Sequence, residues 1–384
     1  MSGSDTRSVP RARRHVPALD GIRGLAIVLV MSLHFVNNQV VATNLVERAA
    51  VTLTNYGLWG VDLFFVLSGF LITGILVDAK GRPSYFSNFF ARRALRIFPL
   101  YYGVLLVLTV LVPSGILAAM DPELLQLRDI RSWLWLYLTN FYLGPETSFS
   151  IPYVSHFWSL AVEEHFYLVW PFLIWYVSTR TAMRVCVGLA VMALLLRIGF
   201  SIAAPDQLYA GVLTPCRIDA LCAGAWFALA ARDGTPLATE SVRRLAWLSG
   251  GGVVALSVWY FALHQGGSVV LPLRTGVLAL FFAAVVHLAA EGQGGRLLER
   301  GLTMGWLRHL GRYSYGLYVF HGIVAHAMHR YAAASWFDTL TGVHTLNAVL
   351  MVGAGVAVSY VVSVASYHGF EMPFLGLKKR FESA

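Results

Sequence analysis

The amino-acid sequence predicts an all-α, polytopic membrane protein with about ten transmembrane helices, an internal cavity and both termini in the cytoplasm. Composition is the first observation behind this prediction. Of the 384 residues, 57% are hydrophobic and only 13% are charged, which is far too apolar for a soluble domain of this size. Length is the second, because apolar runs of about 20 residues between short polar loops fit bilayer-spanning helices and not the shorter alternating strands of a barrel.

The distribution of positive charge is the third observation, and it orients the spans. The predicted spans are residues 18–37, 56–77, 98–119, 157–178, 185–203, 210–231, 245–264, 272–290, 313–331 and 344–367. With the N-terminus in the cytoplasm, 22 of the 29 Lys and Arg residues fall in the inner tails and loops, as the positive-inside rule expects. The net charge of +9 then reflects topology and an anionic inner leaflet. We therefore expect membrane lipids, but no nucleic acid, among the partners.

The ends of the chain differ from its middle. Residues 1–17 are predicted to form a basic cytoplasmic tail, residues 18–370 the transmembrane domain and residues 371–384 a second cytoplasmic tail. Four arginines precede the first span and no small-residue cleavage motif ends it, which predicts a retained anchor and not a cleaved signal peptide. The three cysteines lie in or beside spans and are interpreted as small core residues, and the scattered histidines predict no metal site.

The first span carries two ionisable residues, Arg23 and His34, in an otherwise apolar helix. On a helix they differ by roughly 20° in azimuth and roughly 16 Å in depth, so they share one face. An ionisable residue inside a span is costly and points to function by default. Histidine is also the side chain best suited to move protons near neutral pH. We predict that both residues take part in catalysis.

The second span runs inward and carries Asp62 near its outer end, so Asp62 and His34 are expected at the same depth. A carboxylate beside an imidazole fixes the tautomer and stabilises the imidazolium, which makes the histidine a useful general base. Helix capping or packing is the alternative for Asp62. Further along the same span, Ser68 and Gly69 are interpreted as a small-residue packing patch and not as a nucleophile.

The predicted cytoplasmic loop 78–97 is the densest positive patch of the chain and contains Arg92, Arg93 and Arg96. Arg92 and Arg96 share one helical face, and guanidinium groups bind phosphates bidentately. The cluster predicts a dock for a polyanionic cofactor, with ordinary positive-inside residues as the alternative. On the opposite side, the external segment 120–156 contains an aromatic run that is either a re-entrant piece over the cavity or an interfacial belt.

Later spans carry more polar residues. Glu163 lies on a stripe of hydrogen-bonding groups in the fourth span, and Glu164 points about 100° away from it, so Glu163 is expected to face the cavity. His321 is interpreted as a structural core histidine in the ninth span. Glu371, at the inner end of the tenth span, is interpreted as a cap or as an ion-pair partner of the inner arginines.

Six blocks, in this order, resemble the bacterial acyltransferase-3 family of integral membrane O-acyltransferases over essentially the whole chain. They are Arg23-x10-His34, Gly60-Val-Asp-Leu-Phe-Phe-Val-Leu-Ser-Gly-Phe, the arginine cluster 92–96, Trp158-Ser-Leu-x-Val-Glu-Glu-x-Phe-Tyr167, Ser314-Tyr-Gly-Leu-Tyr-x-x-His321 and Glu371-x-Pro373. The resemblance implies transfer of an acyl group, often acetyl, from a coenzyme A thioester to a hydroxyl of a sugar or related molecule. It also implies that the histidine and the arginine of the first helix are required.

On this basis acyl-CoA, with acetyl-CoA first among the candidates, is the expected donor substrate, and no permanently bound cofactor is expected. The arginine cluster would hold the donor phosphates. His34, oriented by Asp62 or Glu163, is expected to deprotonate the acceptor hydroxyl, and Arg23 to hold the donor or stabilise developing negative charge. A covalent acyl-histidine is the alternative chemistry.

The expected acceptor is a sugar-containing molecule. A macrolide antibiotic, as in the macrolide 3-O-acyltransferases of the same family, and a cell-surface or exported glycan both suit the length and composition of the chain. The expected location is a bacterial cell membrane. A polytopic transporter or flippase is the alternative function, because many spans with buried His, Arg and Glu also suit a proton-coupled carrier. The sequence shows no inverted repeat, which speaks against a carrier.

Overall fold

A computed structural model describes residues 15–37, 40–111, 121, 123–234, 237–263, 267–331 and 340–381. The regular secondary structure of these residues is entirely helical, which confirms the predicted all-α class. The helices are α1 (Pro17–Ser32), α2 (Leu45–Thr54), α3 (Trp59–Ala79), α4 (Tyr85–Leu106), α5 (Glu123–Asp129), α6 (Arg131–Trp135), α7 (Thr139–Leu143), α8 (Phe157–Tyr176), α9 (Thr179–Ala203), α10 (Tyr209–Val212), α11 (Thr214–Ala230), α12 (Thr239–Leu263), α13 (Gly267–Ala290), α14 (Arg296–Leu302), α15 (Gly305–Arg330), α16 (His344–Ser366) and α17 (Met372–Leu377). Short π turns extend α1 to Asn37, α4 to Leu111 and α16 to Glu371.

Eight helical stretches in the described part of the chain are long and apolar enough to cross a membrane. They are Pro17–Val36, Leu45–Ala79, Tyr85–Leu111, Thr179–Ala203, Tyr209–Ala230, Thr239–Ala262, Gly267–Ala290 and His344–Phe381. Two further long helices, α8 with 20 residues and α15 with 26, carry more polar and charged side chains. This architecture confirms a polytopic membrane protein. The count of ten spans and the side of each terminus stay predictions.

The helix α4 begins at Tyr85, well before the predicted third span, so the whole arginine cluster lies within this helix. The first turns of α4 bury one aromatic face against α8. The Tyr85 hydroxyl donates to the Pro171 carbonyl at 2.9 Å, and the Phe86 ring stacks on the Phe172 ring at 4.9 Å. Arg92 and Arg96 do share a helix, as their spacing predicted, but this helix begins earlier than the predicted span, because its first turns are amphipathic and a search for continuous apolar runs passes over them.

Glycines bring α1 into backbone contact with its neighbours. A Cβ atom on Gly24 would lie 2.0 Å from the Leu307 carbonyl oxygen, and one on Gly311 would lie 1.9 Å from the Asp20 carbonyl oxygen. Small residues at a membrane-helix crossing allow such close approach. As a result α1 lies against α15 on one side and α3 on the other, with Arg23 and His34 inside the bundle.

A second glycine crossing joins α3 to α11. A Cβ atom on Gly69 would lie 1.9 Å from the Leu221 carbonyl oxygen, and one on Gly224 would lie 1.9 Å from the Val66 carbonyl oxygen. Gly69 therefore belongs to a packing contact, as its position beside Ser68 predicted.

The aromatic run of the external segment folds into α6 and α7 and packs on the bundle. The Tyr101 hydroxyl donates to the Leu134 carbonyl at 2.7 Å, and the Tyr137 ring stacks on the Tyr101 ring at 4.1 Å. The Asn140 side-chain amide donates to the Thr214 hydroxyl at 2.9 Å. These buried contacts favour a segment that packs on the bundle over a free interfacial belt.

Candidate active site

A narrow cavity of about 120 Å³ lies inside the bundle among α1, α3, α4, α8 and α15. Arg23, Arg93 and Arg96 lie on its walls, so the first-span arginine and part of the arginine cluster meet in one space. Both Glu163 and Glu164 also line it. The cavity thus combines guanidinium groups and carboxylates within the membrane-embedded part of the chain, where isolated charges are costly and usually functional.

A wider cavity of about 220 Å³ adjoins the narrow one. The two share Arg23, Leu71, Arg93 and Arg96. The wider cavity adds three more positive side chains, Arg82, Arg92 and Lys378. The predicted arginine cluster therefore faces a strongly basic space that leads into the bundle. Sequence reasoning missed Lys378, which enters from the short 3-10 turn that follows α17.

The Arg23 guanidinium pairs with a carboxylate on its own helix. Arg23 Nη1 donates to Asp20 Oδ1 at 2.6 Å, and the other oxygen of Asp20 lies 2.6 Å from His15 Nε2. This pairing follows from the spacing of three residues along α1. Because the pair leaves Arg23 on the walls of both cavities, the guanidinium can still contact a bound anion.

Two neutral side chains, Tyr167 and Ser68, connect Arg93 to Glu163. The Arg93 guanidinium lies over the Tyr167 ring, 5.2 Å from its centroid, within the range of a cation–π contact. The Tyr167 hydroxyl donates to Ser68 Oγ at 3.0 Å, and the Ser68 hydroxyl donates to Glu163 Oε1 at 2.6 Å. Glu163 therefore lines the cavity as expected, although Glu164 lines it too, and the hydrogen-bond partner of Glu163 is Ser68 and not His34.

Three histidines from distant parts of the sequence form a cluster. The His34 and His321 ring centroids are 4.7 Å apart, those of His156 and His321 are 4.8 Å apart, and those of His34 and His156 are 6.3 Å apart. The rings meet edge to face. They come from the end of α1, the residue before α8 and the middle of α15. Sequence reasoning missed His156 and interpreted His321 as structural, since no periodicity links the three positions.

Each ring of the cluster donates one N–H group to a main-chain carbonyl. A carbonyl oxygen can only accept, so the bonded nitrogen carries the proton and the other nitrogen of the neutral ring is an acceptor. The three bonds are His34 Nδ1 to Val30 O at 3.0 Å, His321 Nδ1 to Leu317 O at 3.0 Å and His156 Nε2 to Val319 O at 3.2 Å. In both His34 and His321, Nε2 is thus the unprotonated nitrogen that can accept a proton or a hydrogen bond.

Tyr318 and Ser159 separate the narrow cavity from the histidine cluster. Both line the cavity, and their hydroxyls share a short hydrogen bond. The Tyr318 hydroxyl also approaches the His156 carbonyl at 3.1 Å, and its ring lies 5.4 Å from the His321 ring. His34 is not among the residues that line the cavity. The cluster therefore lies directly behind the Tyr318 side chain.

Asp62 has a different partner from the predicted one. Arg217 Nη2 donates to Asp62 Oδ1 at 2.6 Å, and Arg217 also lies over the Phe65 and Trp158 rings. A nearby cation offsets part of the cost of burying a carboxylate, and α11 supplies this cation. The expected contact between His34 and Asp62 or Glu163 is absent from the hydrogen bonds of the described residues. Whether these two carboxylates take part in catalysis stays a prediction.

The structure offers no obvious metal centre in the part of the chain that it describes. There, no group of three or more His, Cys, Asp or Glu side chains is arranged to hold a metal ion. Cys186, Cys216 and Cys222 are buried and unpaired by disulfides.

Comparison with known proteins identifies the family. Residues 16–368 match the model of the acyltransferase-3 domain. The peptidoglycan O-acetyltransferase OatA of Listeria monocytogenes is 27% identical over 336 residues, which cover 82% of this chain and 50% of that protein. The O-acetyltransferase OatA of Staphylococcus aureus is 26% identical over 325 residues, which cover 80% of this chain and 50% of that protein. No solved structure matches the chain.

The chain spans about half the length of the curated relatives that it matches. The match covers the long helices and all the residues that line the narrow cavity, while Lys378 and Phe381 of the wider cavity lie beyond it. Together with the apolar helices, it indicates a multi-pass bacterial membrane protein. The chain belongs to the acyltransferase-3 family.

Proposed function

We propose that the protein transfers a short acyl group, acetyl in the first instance, from acyl-CoA to a hydroxyl of a sugar-containing acceptor. One observation carries the proposal. A basic cavity leads into a narrow charged cavity, and a cluster of imidazoles lies behind the far wall of the narrow cavity. A polyphosphate donor and a proton-transfer step need these two environments in this order.

The donor end of the site has the chemistry of a phosphate dock. Arg82, Arg92 and Lys378 surround the wider cavity, and Arg23, Arg93 and Arg96 line it as well. Guanidinium forks match phosphate geometry. The narrow cavity, at about 120 Å³, suits a thioester and not a nucleotide. The phosphates of CoA therefore belong in the wider cavity, with the pantetheine arm extended towards Tyr318.

The reaction follows from the free nitrogen of His34. The acceptor hydroxyl gives its proton to His34 Nε2 as its oxygen attacks the thioester carbonyl carbon. A C–O bond forms, the C–S bond breaks, and the thiolate leaves with the electron pair and takes up the proton from His34. The Tyr318 side chain must rotate before the thioester reaches His34. Arg23 lies roughly 16 Å along the helix from His34 and so acts on the donor and not on the reacting carbon.

A cell-wall glycan is the favoured acceptor. The name of the Listeria relative describes it as acting on peptidoglycan. A macrolide has no comparable support beyond the length and composition of the chain. A hydroxylated glycan also fits imidazole acceptors, which need O–H donors.

Purified protein in detergent, incubated with radiolabelled acetyl-CoA and soluble peptidoglycan fragments, tests this function. We expect label on the fragments, with a loss of at least about 100-fold in the His34→Ala variant, because a general base contributes that much or more. His329→Ala is the matched control, since His329 is exposed on α15 away from the cluster. Detergent abolishes compartments, so labelled fragments would exclude a pure transporter. Full transfer by His34→Ala would contradict the proposal.

A further inference from the structure

His321 has a ring nitrogen without a hydrogen-bond partner, although the residue is completely buried. Its exposed fraction is 0%, and no described residue bonds to Nε2. Because Nδ1 gives its proton to the Leu317 carbonyl, Nε2 is an acceptor. Buried polar atoms in native proteins are almost always paired, so an orphaned acceptor requires an explanation. The explanation is a donor that the described residues do not supply.

The neighbouring His34 ring is in the same tautomer, with its proton on Nδ1 and an acceptor at Nε2. It meets the His321 ring edge to face at 4.7 Å, and its Nδ1 proton goes to the Val30 carbonyl. No hydrogen bond to His34 Nε2 occurs among the residues that the structure describes. Two acceptors cannot satisfy each other without an added proton. A ligand that fits this pair must therefore bring two hydrogen-bond donors.

The surroundings keep the two rings in place. His156 packs against His321, and its own ring lies over Gly322, where a Cβ atom would come within 2.3 Å of the ring. The Tyr318 ring closes the side that faces the narrow cavity. His321 is thus held in a fixed tautomer and orientation, as a residue that recognises a substrate group must be.

We propose that His321 Nε2 holds a second hydrogen-bond donor of the acceptor, a hydroxyl next to the one that reacts at His34. His321 is then the residue that selects polyhydroxylated acceptors. This inference depends on the proposed function and goes beyond it, because it assigns to His321 a specificity role that general-base catalysis by His34 does not require. A site built to accept a hydrogen bond discriminates strongly against an analogue that lacks the donor.

The test compares acceptors that differ by one hydroxyl. Methyl β-D-glucopyranoside and its monodeoxy derivatives serve as probes, with radiolabelled acetyl-CoA and the full chain in detergent. The variants are His321→Phe, which keeps the ring and removes both nitrogens, and His321→Gln, which returns an acceptor oxygen near the Nε2 position. His287→Phe is the control, because His287 is also buried with an unpartnered ring nitrogen but lies against Phe227, outside the cluster.

We expect wild-type kcat/KM to fall about tenfold to 100-fold for the derivative that lacks the hydroxyl beside the reacting one. In His321→Phe the parent glycoside should lose that advantage, while KM for acetyl-CoA is unchanged. His321→Gln should recover part of the discrimination, and His287→Phe should behave like the wild type. A merely structural histidine, or one that only binds a water molecule, would lower the rates with all glycosides by the same factor.

Two results would overturn the inference. If His321→Phe kept the wild-type ratio between parent and deoxy acceptors, His321 would not contact the second hydroxyl, and the proposed function would stand without it. If the wild type acetylated none of the glycosides and no peptidoglycan fragment, the proposed function would fail and the inference with it.

Discussion

The histidine cluster shows how main-chain contacts can prepare side chains for chemistry. Each ring has its tautomer set by a carbonyl oxygen. In hydrolase triads a carboxylate has this role and also stabilises the imidazolium. A carbonyl fixes the tautomer without a full negative charge, which is less costly in an apolar bundle. The positions of the rings then depend on their packing, and Gly322 is the clearest example.

Gly322→Ala should impair catalysis without unfolding the protein. The new methyl group would lie 2.3 Å from two atoms of the His156 ring, so that ring must move. Because His156 contacts both His34 and His321, we expect acetyl transfer to fall at least about tenfold, as small misplacements in a reacting site do. Gly353→Ala, on a helix and with no atom near its added methyl group, is the control. Wild-type transfer rates in Gly322→Ala would show that the His156 position does not matter.

At the scale of helices, buried ion pairs connect elements that are distant in sequence. Arg197 in α9 makes a two-pronged contact with Asp219 in α11, at 2.8 and 2.6 Å. Arg217 in α11 pairs with Asp62 in α3. Such pairs are poor evidence of net stabilisation, because desolvation offsets the attraction, but removing one partner leaves a buried charge. Comparing the loss of one partner with the loss of both therefore distinguishes a structural role of Asp62 from a catalytic one.

Asp62→Leu alone should destabilise the protein by about 3–5 kcal/mol, because the buried Arg217 loses its partner. The double variant Asp62→Leu/Arg217→Met should recover most of that stability, measured as the thermal midpoint in detergent. If Asp62 is structural, the double variant should also recover acetyl transfer. A stable double variant without transfer activity would instead support the catalytic role that the sequence predicted for Asp62.

The case of Asp62 shows what the sequence could and could not predict. Hydropathy and charge asymmetry marked the apolar helices and placed Asp62 and His34 near the outer ends of their spans. The depth of a residue can be predicted from the sequence because a bilayer has a fixed thickness. The sequence does not predict how each helix is rotated or which helices are its neighbours, because both depend on close crossings such as that of Gly69 against Leu221. In the structure Asp62 therefore pairs with Arg217, and the His34 ring packs against the rings of His156 and His321.

At the scale of the whole molecule, the basic cavity and the histidine cluster lie at opposite ends of α1. The basic cavity lies at the end of the bundle where α1 begins, and the histidine cluster lies where α1 ends. With the predicted orientation, a donor enters from the cytoplasm and the reacting hydroxyl meets it in the outer half of the membrane. The predicted topology also requires α8, which carries Glu163 and Glu164, to cross the bilayer, although α8 is not among the most apolar helices.

Single cysteines placed before α8 and after α11 test whether α8 crosses the bilayer. Three long helices, α8, α9 and α11, lie between Asp129 and Glu240, whose side chains are 73% and 64% exposed. In right-side-out vesicles, a membrane-impermeant maleimide should label Asp129→Cys at once and Glu240→Cys only after permeabilisation, because an odd number of crossings separates them. The natural cysteines are buried and serve as an unlabelled background. Labelling of both positions from one side would mean that one of the three helices does not cross. α8 would be the first candidate, since α9 and the stretch that contains α11 are apolar enough to span.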